Sequence, residues 1–463
     1  MNEPQRHRVE PTGATAWRTR PAGPELLAPA GTLKHLGFAL AYGADAIYAG
    51  QPRYSLRVRN NSFHRLAVLA EGIRRTHAAG KAFYLAANVA PHNAKIATFR
   101  RDMEPVIALG PDALILSDPG LILLAREAWP ELPIHLSVQA NTVNSAAVRF
   151  WAQQGIRRII LSRELALDEI AAIRQDCPDT ELEVFVHGAL CIAYSGRCLL
   201  SGYLNHRDPN QGACTNACRW GYRVHGTGHP SAEAADAVQT SDPTSGETDS
   251  PFWVEPTERP GERMPLDEDE HGTYVFNSKD LRAVQHVARL TAMGIDSVKI
   301  EGRTKSPYYV ARTAQVYRRA IDDACAGRDF DPTLMTELEH LASRGYTEGF
   351  LRRHPPEDHQ NYQQGASRDQ TRQFAGEVIA GDAERWTIDV KNRLQTDDAV
   401  ELMHPAGNHP FRLEDLRDPT GRPVSVAPGS GYRVTIPAPR SEPPNHALIL
   451  RILDAAPEPS PPR

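Results

Sequence analysis

The chain has 463 residues, of which 41% are hydrophobic and 24% charged, a balance that supplies a sizeable core and excludes a disordered or fibrous protein. Its net charge of −5 hides an asymmetry: twelve acids and two arginines fall between Gly226 and Glu270, so the remainder carries a small positive excess. Such an excess fits a structured RNA bound through a limited patch and equally fits an enzyme of small anions. No window reaches the ~20 consecutive apolar residues of a membrane helix, and the first residues lack a signal-peptide core, so a cytoplasmic protein without a membrane partner is expected.

In chain order, residues 1–23 form a polar, Pro-rich tail with too little apolar content to order. One unit then recurs, in which a helical stretch ends at Gly and a short apolar run follows. Gly43, Gly80, Gly110, Gly155 and Gly294 mark the helix ends, because glycine accepts the left-handed conformation that terminates a helix. The apolar runs are read as strands buried on both faces, as parallel strands are. Eight occur, at 25–31, 46–50, 82–89, 113–118, 134–141, 158–164, 182–190 and 297–303. That number closes a (β/α)8 TIM-like barrel, with an open doubly wound sheet as the alternative. A last helix, from Tyr308 to about Ala324, carries Val310, Ala314, Tyr317 and Ile321 at helical spacing.

The catalytic domain is therefore expected over 24–353, with a long cysteine-bearing insertion after strand 7 at about 191–271. The middle of that insertion, 226–262, reads as a flexible excursion rich in Pro, Ser, Thr and acids. A linker over 354–373 leads to a small all-β barrel or sandwich domain at 374–453, and residues 454–463 form a second tail.

Four of the six cysteines, Cys191, Cys198, Cys214 and Cys218, are spaced C-x6-C-x15-C-x3-C. In a reducing compartment such a cluster holds metal more often than disulfides. The wide first pair suits an iron–sulfur cluster, and zinc stays open as the alternative. Cys177 and Cys325 stand apart and read as ordinary residues.

Residues at the C-terminal ends of barrel strands face a common mouth. Asn88, Asp118, Gln139, Asn141, Arg163, Glu164, His187, Glu301 and Arg303 fall there. Arg163 and Arg303 are suited to clamping carboxylates and, with Gln139, Asn141 and Glu164, are the expected substrate-binding set. Glu301 and His187 are the expected catalytic pair. Phosphate-loop, dinucleotide and nucleophile-elbow motifs are missing from the sequence, which leaves nucleotide hydrolysis and serine hydrolysis without support.

The stretch from Glu183 to Ser201, with 277–281 and 299–318, resembles the signature blocks of the peptidase U32 family. The segments 200–220, 259–281 and 344–354 are similar to a subgroup of it that hydroxylates tRNA. The resemblance implies a tRNA-modification enzyme that converts the wobble uridine to 5-hydroxyuridine in a prephenate-dependent reaction. It also implies a 4Fe-4S cluster on Cys191, Cys198, Cys214 and Cys218. The implied partners are tRNA, gripped at the anticodon arm by the C-terminal domain, and prephenate, with an electron donor or accessory protein left open. A U32-type, collagenase-like protease and a non-catalytic iron–sulfur accessory protein stand as alternatives.

Overall fold

The computed structural model describes residues 23–190 apart from 52 and 57–60, then 220–225, most of 252–273, 279–352 apart from 344, and 372–453 apart from 442. The four clustered cysteines, both tails, the linker and 226–251 lie outside the described residues.

Eight parallel strands form the barrel: β1 Glu25–Pro29, β2 Ala46–Gly50, β3 Ala82–Ala86, β4 Ala113–Leu116, β5 Ile134–Leu136, β6 Arg158–Ile160, β7 Glu181–Ala189 and β8 Ser297–Ile300. Neighbours in sequence pair in space, and β8 closes the ring by pairing with both β7 and β1. The doubly wound alternative is thereby excluded. Each strand is short and almost wholly buried, since helices cover the outside while the lumen is filled by side chains. The last barrel helix, Pro307–Cys325, starts with Ser306 as N-cap and Pro307 at its first turn, a pairing that presets the helix entry; a shorter helix, Thr333–Glu339, follows it.

β7 runs for nine residues and belongs to two structures. Its first part pairs with β8; its end pairs antiparallel with Asp280–Arg282, Leu281 standing opposite Gly188. The insertion thus leaves the barrel and returns along the same strand, which the sequence patterning did not reveal. Within it, Tyr222–His225, Phe252–Pro256 and Met264–Leu266 form an antiparallel sheet. The expectation of a flexible excursion over 226–262 is corrected at its distal end, where Phe252, Trp253 and Val254 are strand formers set in acidic, Pro-rich surroundings.

The C-terminal domain has its own core around Trp386, Ile388, Leu402 and Ile449. It is a six-stranded antiparallel sheet plus a two-stranded ribbon, and no described pairing joins its edge strands. It docks on the barrel through Arg312 of the last barrel helix, which is 1% exposed. One guanidinium nitrogen lies 2.6 Å from Glu401 of the C-terminal domain and another 2.9 Å from Glu337 of the barrel side. Tyr308 stacks on Phe374 with ring centroids 5.4 Å apart, and the Tyr42 hydroxyl reaches the carbonyls of Met403 and His446 at 3.0 and 2.9 Å. Because removing one partner strands the other charges in a dry interface, Arg312→Ala is expected to cost about 3 kcal/mol. Denaturant unfolding of the full chain, followed by circular dichroism and total tryptophan fluorescence, measures it.

Candidate active site at the barrel mouth

The lower lumen holds a chain of charges. Glu183 on β7, fully buried, accepts from Lys299 Nζ of β8 at 2.8 Å and from Arg158 Nη1 of β6 at 3.3 Å. Arg158 also reaches Glu25 of β1 at 2.6 Å and Glu181 at 3.0 Å, and the Tyr84 hydroxyl donates to Glu25 at 2.8 Å. Burial lowers the pKa of Lys299, with Glu183 opposing the shift. Lys299 Nζ lies 4.5 Å from the Tyr48 ring centre and 5.3 Å from that of Phe185. Sequence analysis missed this column, reading the strands as uniformly apolar. The signal was present: Glu25, Arg158, Glu183 and Lys299 are charges embedded in otherwise apolar strand runs.

Above this column the expected mouth residues gather in part. The Arg163 guanidinium lies 4.1 Å from the Phe185 ring centre, and its Nη1 donates to the carbonyl of Ala189. The amide of that same Ala189 donates to Glu301 Oε2 at 3.4 Å. Arg163 and Glu301 therefore hold the strand end two residues before Cys191. Arg163 Nε is buried without a hydrogen-bond partner among the described residues, an orphan donor of the kind an anionic ligand satisfies.

Arg303 is 6% exposed, donates from Nη1 to Ser55 Oγ at 2.7 Å and stands 5.6 Å from the Tyr48 ring centre. It passes directly over Gly50, where a Cβ would meet Arg303 Nη1 at 2.2 Å. Gly188 is equally constrained: it has φ +108, and a Cβ there would lie 2.5 Å from the carbonyl oxygen of Glu301. The pKa of Tyr48 is raised by burial first and by Glu301 next, against Arg303 and Arg163, so all three groups act on one hydroxyl.

The other mouth residues are divided. Gln139 accepts from Asn88 Nδ2 at 3.1 Å and from Ser137, forming a polar patch across β3 and β5. Asn141 follows a 3-10 turn in the left-handed conformation with φ 50. Glu164 pairs with Ser162 on its own loop. Asp118 is a helix N-cap, accepting from the Leu121 amide at 2.9 Å. Cys177 is buried and Cys325 ends the last barrel helix.

His187 goes elsewhere. It is 1% exposed and its ring is enclosed by Tyr309, Tyr317 and Tyr346, at centroid distances of 5.6, 5.6 and 5.5 Å. Nδ1 lies 3.4 Å from the Tyr317 hydroxyl, and Nε2 has no hydrogen-bond partner among the described residues. Burial pushes its pKa down to about 3, Asp280 opposing and Lys305 assisting. No described contact joins it to Arg163 or Arg303.

The fold is thus a (β/α)8 barrel with a charged lumen and with Arg163, Glu301 and Arg303 at its strand ends. Residues 31–361 match Peptidase family U32 and residues 370–451 match the Peptidase family U32 C-terminal domain; the chain belongs to this family. It is 58% identical over 440 residues to tRNA hydroxylation protein P of Escherichia coli (strain K12), covering 92% of this chain and 96% of that protein. It is 56% identical over 444 residues to tRNA hydroxylation protein P of Haemophilus influenzae, covering 93% and 96%. A solved U32 peptidase structure is similar at a TM-score of 0.38 with 14% identity, covering 62% of this chain and 97% of that one.

His187 also sets an acid limit on the fold. The unfolded imidazole binds a proton near its ordinary pKa of 6.5, while the folded one stays neutral down to about 3. Its contribution is thus complete above pH 6.5 and lost as pH falls towards 3, amounting to about 5 kcal/mol in all. His187→Phe, which keeps the ring and removes the titration, is expected to flatten this limb in unfolding measurements between these limits.

Proposed function

We propose that this protein is a tRNA hydroxylase that converts the wobble uridine to 5-hydroxyuridine with prephenate as co-substrate. The observation that carries the reading is the near full-length identity to proteins named for tRNA hydroxylation, both domains included. The mouth supports it: Arg163 and Arg303 are paired cations of the kind that bind carboxylates, and prephenate carries two.

In this reading Cys191, Cys198, Cys214 and Cys218 hold a 4Fe-4S cluster. Four thiols on one segment supply a complete ligand set, and that segment leaves the barrel from a strand end pinned by Arg163 and Glu301. Among the described residues no His, Cys, Asp and Glu group of three or more is arranged to hold a metal. The cluster, when bound, supplies one-electron redox chemistry beside the mouth. Arg303, held by Ser55, orients the carboxylate substrate; Arg163 offers its unpartnered Nε to the same anion. Glu301, which accepts from the Ala189 amide, is the proposed proton acceptor at Oε2, with Gln139, Asn141 and Glu164 lining the polar side for the base. No helix among the described residues is long and apolar enough to cross a membrane.

Mass analysis of tRNA nucleosides from a strain lacking the protein, with and without the gene restored, tests the function. Loss and return of 5-hydroxyuridine is expected; unchanged nucleosides together with cleavage of denatured collagen by the purified chain would move the assignment to a protease. Anaerobically purified wild type is expected to carry roughly four irons with matching sulfide, and Cys214→Ala to lose them. Gly50→Ala, which drives a methyl group into Arg303, is expected to fold and retain iron while restoring at least about tenfold less 5-hydroxyuridine than wild type. Arg303→Lys should reproduce that loss.

A further inference from the structure

We propose that the rim built by the loops after β2 and β3 is the surface on which the tRNA phosphate backbone docks; this rests on the tRNA reading above. Residues 51–104 contain ten Lys and Arg against three acids, in a chain that has 52 against 57 overall; Arg74, Arg75 and Lys81 among them fall at the opposite end of the barrel, where they pair with Glu71 and Asp45, and do not belong to the rim. The C-terminal domain, by contrast, is balanced, with ten Lys and Arg against eleven acids over 372–453. Several of its cations are tied to its own acids, as in Arg385 and Arg417 on Asp415. The proposal thus places the phosphate contacts on the rim, in contrast to the grip by the C-terminal domain expected from the resemblance.

The rim cations stand on the mouth side because they follow strand C-termini. Arg65 immediately precedes the helix Leu66–Ala78, Lys95 lies in the short helix Asn93–Ile96, and Arg100 and Arg101 open the helix Phe99–Ile107. Arg65 occupies the N-cap position without a capping hydrogen bond. Cations at helix N-termini oppose the helix dipole, and Arg is a poor N-cap. Three such choices on two neighbouring helices cost stability locally, and a polyanion seated there offsets that cost. Arg65 and Arg100 are exposed and have no ion-pair partner among the described residues.

Asp102 makes the rim rigid rather than neutral. It lies 3.1 Å from Arg53 Nη1 and 3.1 Å from Arg101 Nη2, and it accepts from the buried Tyr54 hydroxyl at 2.8 Å. Arg53 Nη2 also donates to Thr98 Oγ1 at 2.9 Å. One carboxylate thereby fixes two arginines whose side chains remain 48% and 74% exposed. Two residues beyond Arg53, Ser55 binds Arg303 of the mouth. A phosphate backbone on the rim is thus held beside the pocket, within a short loop of the substrate arginine, which is where an unstacked base would need to be delivered.

The test is filter retention of tRNA by the full-length protein across a series of salt concentrations. Each phosphate contact contributes about 0.7–0.9 to the slope of log affinity against log salt. R100E/R101E is expected to bind at least about tenfold more weakly, with that slope reduced by about two. R65E, on the neighbouring helix, should show a smaller loss of the same kind, so misfolding of one helix does not account for both. R412E/R433E, on exposed positions of the C-terminal domain, should stay within about twofold of wild type. Wild-type affinity and slope in the rim variants, or a larger loss in R412E/R433E, overturns the rim while leaving tRNA binding itself established. A wild-type protein that retains no tRNA at low salt overturns the functional reading and the rim together.

Discussion

The barrel is organised around Glu183, a fully buried carboxylate between Lys299 and Arg158. Taking these charges out of water costs several kcal/mol per ion, and their mutual attraction in the dry lumen roughly offsets that cost. The network is therefore better understood as a register device than as a source of stability. Glu25, Arg158, Glu183 and Lys299 come from four strands, and a one-residue slip in any of them would turn a charge onto the helix-covered outer face. Barrel closure through β8 brings Lys299 beside Glu183, so topology and electrostatics fix the same arrangement.

β7 carries this constraint up to the mouth. Glu183 sits in the lumen, Phe185 supports Arg163, Gly188 lets the strand pass the carbonyl of Glu301, and Ala189 is held from both sides before the cysteines begin. The returning strand Asp280–Arg282 pairs with the same residues, so the insertion's neck is clamped by backbone hydrogen bonds as well. His187 belongs to this mechanical role: its neutral ring fills the space between β7, the last barrel helix and the strand Tyr346–Thr347.

The barrel was legible because its signal is repeated: each helix-ending glycine and buried strand gave the same local message, and eight copies define a closed ring. Arg163, Glu301 and Arg303 were legible because strand ends in such a ring face one place. His187 was not separable from them, since the positive φ of Gly188 and the pairing with Asp280–Arg282 arise only in three dimensions. The lumen charges were obscured by the rule that parallel strands are apolar, a rule that holds for the outer faces but not for inward positions here. Phe252–Pro256 was hidden by composition, a strand of five residues flanked by acids and prolines.

Charge is also partitioned by position in the fold. The acids of 226–270 fall in the insertion, Arg53, Arg65, Arg100 and Arg101 stand on the loops and helix starts after β2 and β3, and the C-terminal domain is near balance. Net charge averages these away, and so does the small excess left after the acidic stretch is set apart. For a partner that meets the molecule at one end of the barrel, the relevant quantity is the field at that end, because screening limits each charge to about 8–10 Å at physiological salt. A chain of net negative charge thereby presents a positive face to a polyanion.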